Sequence, residues 1–356
     1  MDNLDNVEEI AKLDKGNVYA SIQAIIKQAE QAWNEVEAIP IPNSYHNFEN
    51  IVLSGMGGSA LGGRVLHSLF LPNLTIPFEI TTNYSLPGYV SDRSLVILSS
   101  YSGNTAETIS SFHEALNKGG CVFVITTGGK LASLAQENKL PAYLYNPHEN
   151  PSQQPRMALG YSITALIALF VKLGLIQLNK TDFKVILSSM DRLMAGFEAR
   201  CPEADNLAKR LAHRMKNKIP VLVASSHLLG IAHAFKNQIN ENSKTFALLF
   251  DIPELNHHLM EGLKYPSEAR ALYQFIFLES ASYKAEILKR YQITQDVISK
   301  NSVSFEKYRL ETTSKVEQVY EILLLGSFVS FYLAMLYGID PSPIPWVDYF
   351  KKELDK

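Results

Sequence analysis

The amino-acid sequence predicts an α/β fold of two similar units, each a parallel sheet flanked by helices in a doubly wound, three-layer arrangement. Three observations support it. Short β-rich runs alternate with helix-length spacers in both halves of the chain, the pattern of parallel strands joined by crossover helices. The segments IVLSGMGGSALGGRVLHSLF (51–70) and VLVASSHLLGIAHAFKNQI (221–239) each run from a strand through a small-residue loop into a helix, which predicts an internal duplication. At 356 residues the chain is also longer than one typical α/β unit requires.

The elements follow in order. Residues 1–40 read as a helical N-terminal segment, because Ile22, Ile25, Ile26, Ala29, Ala32, Trp33 and Val36 recur at helical spacing between Val18 and Ile39. The first unit, 41–160, takes strands at IVLSG (51–55), TIPFEIT (75–81), SLVILSS (94–100), CVFVITT (121–127) and AYLYN (142–146). From Pro147 to Arg156 the chain is rich in Pro, Asn and Gln, and an ordered loop or hinge is expected. Residues 161–210 read as a helical connector, opened by the apolar run SITALIALFVKLGLI (162–176). The second unit, 211–356, resumes with IPVLVASS (219–226), KTFALLF (244–250), YQFIFLES (273–280) and SVSFEKYRL (302–310). Near its end, Ile322 to Ile339 carries no charge over about the length that spans a bilayer. The serines, glycines and tyrosines within it suit a helix buried in a protein core better than a membrane span.

Composition narrows the function. With 33 basic against 36 acidic residues the formal net charge is -3, and no basic run stands out, which argues against a nucleic-acid partner. Cys121 and Cys201 cannot build a disulfide framework or a metal cluster, and fit a reducing cytoplasm. The acidic opening, MDNLDNVEEIAKLDKGN, lacks the apolar core of a signal peptide. The expectation is a cytoplasmic protein with no membrane attachment.

Two motifs mark the expected site. GMGGSALGG (55–63) directly follows the first strand, and SSYSGNTAET (99–108) overlaps and follows the end of the third. Open α/β sheets bind ligands beyond the carboxyl ends of their strands. Gly57, Gly58, Ser59, Ser100, Ser102, Gly103 and Thr105 would therefore gather N–H groups and hydroxyls at one sheet edge, beside helix N-termini that favour anions. A compact dianion, such as a single terminal phosphate on a small molecule, fits that set. No G-x-x-x-x-G-K-[ST] loop offers a home for a triphosphate. Taken singly, each motif also reads as ordinary helix capping. Gly55, Gly57 and Ala60 satisfy G-x-G-x-x-A as well, with Glu79 near the offset of a ribose-binding carboxylate, so a dinucleotide is the competing ligand. Glu79 falls inside the second strand rather than at its end, which weakens that reading.

GMGGSA followed by SSYSGNTAET resembles the sugar isomerase (SIS) domain. With QPR (154–156), KNQINENSK (236–244), PELNH (253–257) and IDPSP (339–343), nearly the whole chain resembles the bifunctional phosphoglucose/phosphomannose isomerase family. That resemblance implies an aldose–ketose isomerase converting glucose 6-phosphate, and also mannose 6-phosphate, to fructose 6-phosphate through a cis-enediolate. It implies a phosphate site from Gly57, Gly58, Ser59, Ser100, Ser102 and Thr105. Glu241 would be the base, Arg156 would stabilise the intermediate, His257 would open the ring, and Lys351, with Lys352 adjacent, would assist near the sugar. A homodimer is implied, with the histidine supplied across the interface, and neither metal nor cofactor is called for. The chain departs from the family pattern in three places. The usual N-H-N-E is N-H-H-L at Asn256 to Leu259, so His258 competes with His257. Ala234 stands where an Arg often precedes Lys236, and Ser342 stands where the family often has Thr. A non-catalytic phosphosugar sensor, or an isomerase of another phosphosugar, is the alternative on the same fold, although residues 1–40 are too short and too acidic for a sensor's DNA-reading part.

Overall fold

The computed structural model describes residues 3–354. Three helices open the chain: α1 (Val7–Leu13), α2 (Val18–Gln23) and α3 (Ile25–Ala38). The single helix expected over 18–39 is thus two, separated at Ala24. Its apolar stripe is nevertheless buried as a unit: Ile25, Ile26, Ala29, Ala32, Trp33 and Val36 all lie inside, with Trp33 stacked on Phe183.

The first unit contains β1 (Asn50–Gly55), α4 (Gly58–Phe70), β2 (Phe78–Thr81), β3 (Ser94–Ser100), α5 (Ala106–Asn117), β4 (Cys121–Thr126), α6 (Gly129–Glu137) and β5 (Ala142–Leu144). Its strands lie in the order β2-β1-β3-β4-β5, all parallel. Alternate residues face opposite layers, as strand geometry demands. Ile51, Leu53, Leu95, Ile97 and Phe123 enter the main core, while Val52, Val96, Leu98, Val122 and Val124 join a second cluster with Phe112 and Leu131 of α5 and α6.

Helices α7 (Leu159–Lys172), α8 (Lys180–Phe197) and α9 (Leu207–Met215) follow, and α7 packs against α3 and α4. The second unit holds β6 (Ile219–Ala224), α10 (Leu229–Ser243), β7 (Leu248–Asp251), the single turn α11 (Leu259–Gly262), β8 (Tyr273–Glu279), α12 (Ala285–Lys300), β9 (Ser304–Arg309), α13 (Lys315–Leu336) and α14 (Pro345–Leu354). Its parallel order, β7-β6-β8-β9, repeats that of the first four strands of the other sheet, so the duplication expected from the sequence is visible in the topology. The strand expected from Lys244 begins only at Leu248, because α10 runs on to Ser243 and Lys244 ends it in the left-handed conformation (φ 56°).

The two units meet through helices. Gly230 of α10 lies directly against the Arg64 carbonyl of α4, where any side chain would collide, and its N–H donates to Ser68 Oγ at 3.0 Å. α13 packs against α10, α9, α8 and α2. It is long and apolar enough to cross a membrane, yet its whole apolar window is buried inside the protein. Glu321 within it is fully buried and accepts from the Tyr308 hydroxyl at 2.7 Å, the Glu311 and Thr312 amides at 2.8 and 3.0 Å, and the Thr312 hydroxyl at 2.6 Å. Such a set of donors is what lets a carboxylate be tolerated in an apolar interior.

Candidate active site

The two hydroxyl-rich turns lie side by side because β1 and β3 are adjacent and parallel, with Gly55 opposite Ser99. α4 begins at Gly58 and α5 at Ala106, and neither helix start receives a side-chain cap hydrogen bond from its N-cap residue, Gly57 or Thr105. The hydroxyls bond instead within and between the turns. Ser59 Oγ accepts from the Tyr101 amide at 2.9 Å, tying the first turn to the second. Ser100 Oγ lies 2.8 Å from Thr105 Oγ1 and accepts from the Gly103 amide at 3.1 Å, while Ser102 Oγ accepts from the Asn104 amide at 3.3 Å. Gly103 is held at φ 70°, and any Cβ there would collide with the Gly128 carbonyl, so the tight turn requires glycine. Gly57, Gly58, Ser59, Ser100, Ser102 and Thr105 thus form one cluster at the helix starts, a geometry suited to a phosphate. Glu79, the carboxylate of the dinucleotide alternative, pairs with Val52 within β2 and accepts from the Tyr89 hydroxyl at 2.6 Å.

Gly58 connects this cluster to the next. A Cβ on it would lie 3.1–3.2 Å from the Pro155 and Arg156 backbone, so the start of α4 rests on the loop that carries Arg156. That loop is ordered by the N-terminal helices: Gln28 Nε2 donates to the Glu149 and Met157 carbonyls at 2.9 and 3.0 Å, and Ser21 Oγ accepts from the Ser152 amide at 2.9 Å. Asn150 closes it internally, donating to Gln154 O at 3.0 Å and to the Tyr101 hydroxyl at 2.9 Å.

Arg156 is 1% exposed. Its Nε donates to Asn242 Oδ1 at 2.6 Å, Nη1 to Gln154 Oε1 at 2.8 Å and Glu241 Oε2 at 3.4 Å, and Nη2 to the Pro341 and Ser342 carbonyls at 3.0 and 2.8 Å. Every direction of the guanidinium is used, so it is a fixed, planar positive charge. Glu241, on the last turn of α10, keeps its carboxyl partly exposed. Burial lifts that carboxyl above the usual range, against the opposing pull of Arg156, Lys244 and Lys351. The result is a partly buried carboxylate beside an immobile cation.

The remaining expected residues are placed differently. Lys351 is exposed on α14 and is among the charges acting on Glu241; Lys352 beside it is exposed as well. His257 ends a short turn after β7 and is exposed; among the described residues no hydrogen bond or ion pair joins it to Arg156 or Glu241 of the same chain. His258 is also exposed and lies against Phe250. Ala234 is fully buried. The partners that fix Arg156, namely Gln154, Asn242 and the Pro341 and Ser342 carbonyls, were not expected from the sequence in that role. Their only signal was adjacency: each lies within the QPR, NENSK or IDPSP stretch.

This arrangement of two α/β units, each a parallel sheet flanked by helices, is that of the SIS fold. The SIS domain family model matches residues 44–173, and the model described as bacterial phospho-glucose isomerase C-terminal SIS domain matches 204–354. A bifunctional phosphoglucose/phosphomannose isomerase from Caldicellulosiruptor bescii is 34% identical over 339 residues, covering 95% of this chain and 98% of that one. Its counterpart from Thermoplasma acidophilum is 29% identical, covering 86% and 90%. Among solved structures, a hypothetical protein from Thermus thermophilus aligns with a TM-score of 0.75 at 17% identity, over 99% of this chain and 93% of that one. A glucose-6-phosphate isomerase like protein from the same organism gives 0.58 at 16%, over 98% and 100%. The chain belongs to the bifunctional phosphoglucose/phosphomannose isomerase family.

Proposed function

We propose that the protein is an aldose–ketose isomerase that interconverts glucose 6-phosphate, and mannose 6-phosphate, with fructose 6-phosphate. One observation carries this reading: the start of α4 rests on the Arg156 loop, and Arg156 touches Glu241, so the phosphate cluster, the fixed cation and the carboxylate share one junction. The chemistry suits them. Isomerisation removes a proton from the carbon beside a carbonyl and returns it to the neighbouring carbon. Glu241 takes the C2 proton, leaving an enediolate, and delivers it to C1 while the hydroxyl proton on O2 passes to O1; its raised pKa makes it a better base than an ordinary carboxylate. Negative charge on the enediolate oxygens develops near Arg156, whose position requires no rearrangement during the step. The serine-rich turns hold the phosphate, and Lys351 acts from the rim.

Ring opening falls to His257 of the partner subunit in a homodimer. Support for the dimer is the exposure of Trp346, Tyr349, Phe350 and Leu354 along α14, an apolar face that a second copy covers well. Glucose and mannose phosphates differ only at C2 and give the same planar enediolate, so acceptance of both demands room beside C2 and no additional catalytic group. The protein acts in the cytoplasm without metal or cofactor. The test is a coupled assay of fructose 6-phosphate formation from each substrate with chelator present, for the wild type and Glu241→Gln. A sensor binds the sugar phosphate and turns over nothing; an isomerase turns over and loses that activity in the variant.

A further inference from the structure

We infer that Lys244 is a positioning residue for the isomerisation, a protonated tie that holds the base and Arg156 in register. This rests on the isomerase reading above. Lys244 ends α10 in the left-handed conformation at φ 56°, which turns its side chain back over the helix end that carries Glu241. Although the residue as a whole is exposed, its ammonium is directed inward and donates to three carbonyls: Glu241 O at 2.8 Å, Asn242 O at 3.1 Å and Pro341 O at 2.8 Å. Two of these belong to the turn that holds the base. The third, Pro341 O, is also an acceptor for Arg156 Nη2 at 3.0 Å. Asn242 is a second shared point, since its side chain accepts from Arg156 Nε while its carbonyl accepts from Lys244. One ammonium therefore joins the last turn of α10 to the 339–343 loop, and that loop to the guanidinium.

The tie is charge-dependent. A carbonyl cluster is satisfied by three N–H donors of an ammonium, whereas a neutral amine has only two and binds each more weakly. The groups acting on Lys244 are Arg156 from the loop before α7, Glu241 on its own helix, and Asp340 from the loop before α14. Beyond them, Asp14 faces Asp340 and Lys351 faces Glu241. Burial and Arg156 push the Lys244 ammonium down to about 8, with Asp340 and Glu241 opposing. The proton is lost as pH rises through that value, and the tie loosens on the alkaline side.

The experiment compares wild type, Lys244→Met and Lys244→Arg, with kcat and KM for fructose 6-phosphate measured from about pH 6 to 10 and thermal unfolding monitored in parallel. Lys244→Met is expected to lower kcat about tenfold while KM changes less than about twofold, because the phosphate turns are untouched, and to abolish an alkaline fall centred near 8. Lys244→Arg, which stays charged, is expected to recover most of kcat and hold it to higher pH. A Met variant with wild-type kcat and an unchanged alkaline limb overturns the inference, as does equal failure of the Met and Arg variants at unchanged unfolding temperature. Should the wild type not isomerise at all, the functional reading fails and the charged tie itself is still decided by NMR of lysine labelled with ¹³C at Cε, which leaves all three N–H donors in place. A Lys244 signal that titrates near 8 upholds it, and one that titrates near the ordinary lysine value removes it.

Discussion

Replacing Arg156 with lysine keeps the positive charge and removes the planar fork. The guanidinium satisfies five acceptors: Asn242 Oδ1, Gln154 Oε1, Glu241 Oε2 and the Pro341 and Ser342 carbonyls. An ammonium offers three donors, from a single point, so at least two of these acceptors lose a hydrogen bond, and of the five only Pro341 O keeps another donor among the described residues, Lys244. At about 1–3 kcal/mol for each group left unsatisfied, Arg156→Lys is expected to destabilise the fold by at least about 1–3 kcal/mol. The shorter, rotating cation also no longer lies where enediolate charge develops, which removes about 10²–10³ from kcat. Urea denaturation followed by fluorescence measures the first quantity, and the coupled fructose 6-phosphate assay measures the second. A variant within about 1 kcal/mol of wild type in stability and within about threefold in kcat would refute the argument that Arg156 acts as a fixed planar donor.

Other consequences are as direct. Glu241→Gln is expected to lower kcat by about 10²–10⁴ with little change in KM; because the folded carboxyl titrates above its unfolded value, its ionised form opposes folding at neutral pH, so the variant should unfold no earlier than wild type at about pH 7.5. For the same reason wild-type kcat should fall as pH drops through a value above the ordinary carboxylate range, and a limb near about 4 would count against Glu241 as base. Ser100→Ala combined with Thr105→Val removes a hydroxyl pair 2.8 Å apart, and should weaken competitive inhibition by inorganic phosphate about tenfold or more, with unfolding temperature as the control. Gly230→Ala forces α10 off the Arg64 carbonyl and should cost about 1–3 kcal/mol in denaturation while lowering kcat, since the base and the phosphate turn move apart. Co-refolding of inactive Glu241→Gln with inactive His257→Asn should restore about a quarter of wild-type activity if each site draws its histidine across a two-fold interface; no recovery places the histidine within one chain.

How much of this was legible in the sequence depends on how local each signal is. Every strand among the described residues fell inside or beside its predicted run, because apolar β-rich stretches between Gly, Asn and Pro punctuate a parallel sheet strongly. The ends were less legible. The strand expected from Lys244 starts only at Leu248, since helix α10 continues to Ser243 and Lys244 caps it. The split at Ala24 left no trace in a continuous apolar stripe. Within the site, the two turns could be placed beside each other from strand order alone. The partners of Arg156 could not, because 85 residues separate it from Glu241 and 185 from Pro341, and only tertiary packing brings these together. Lys244 carried no signal of its own in the sequence, since nothing in its neighbours announces that the chain turns back on itself there.

The placement of α13 bears on how the molecule comes into being. It emerges from the ribosome after both sheets have been synthesised, yet α2, α8, α9 and α10 all rest upon it. Until about residue 336 has left the exit tunnel, those four partners lack the helix they share, and a long apolar segment is without its burial. Assembly of this chain is therefore decided late in translation, and shortened products that end before Lys315 should be found with chaperones or proteases rather than in the soluble pool.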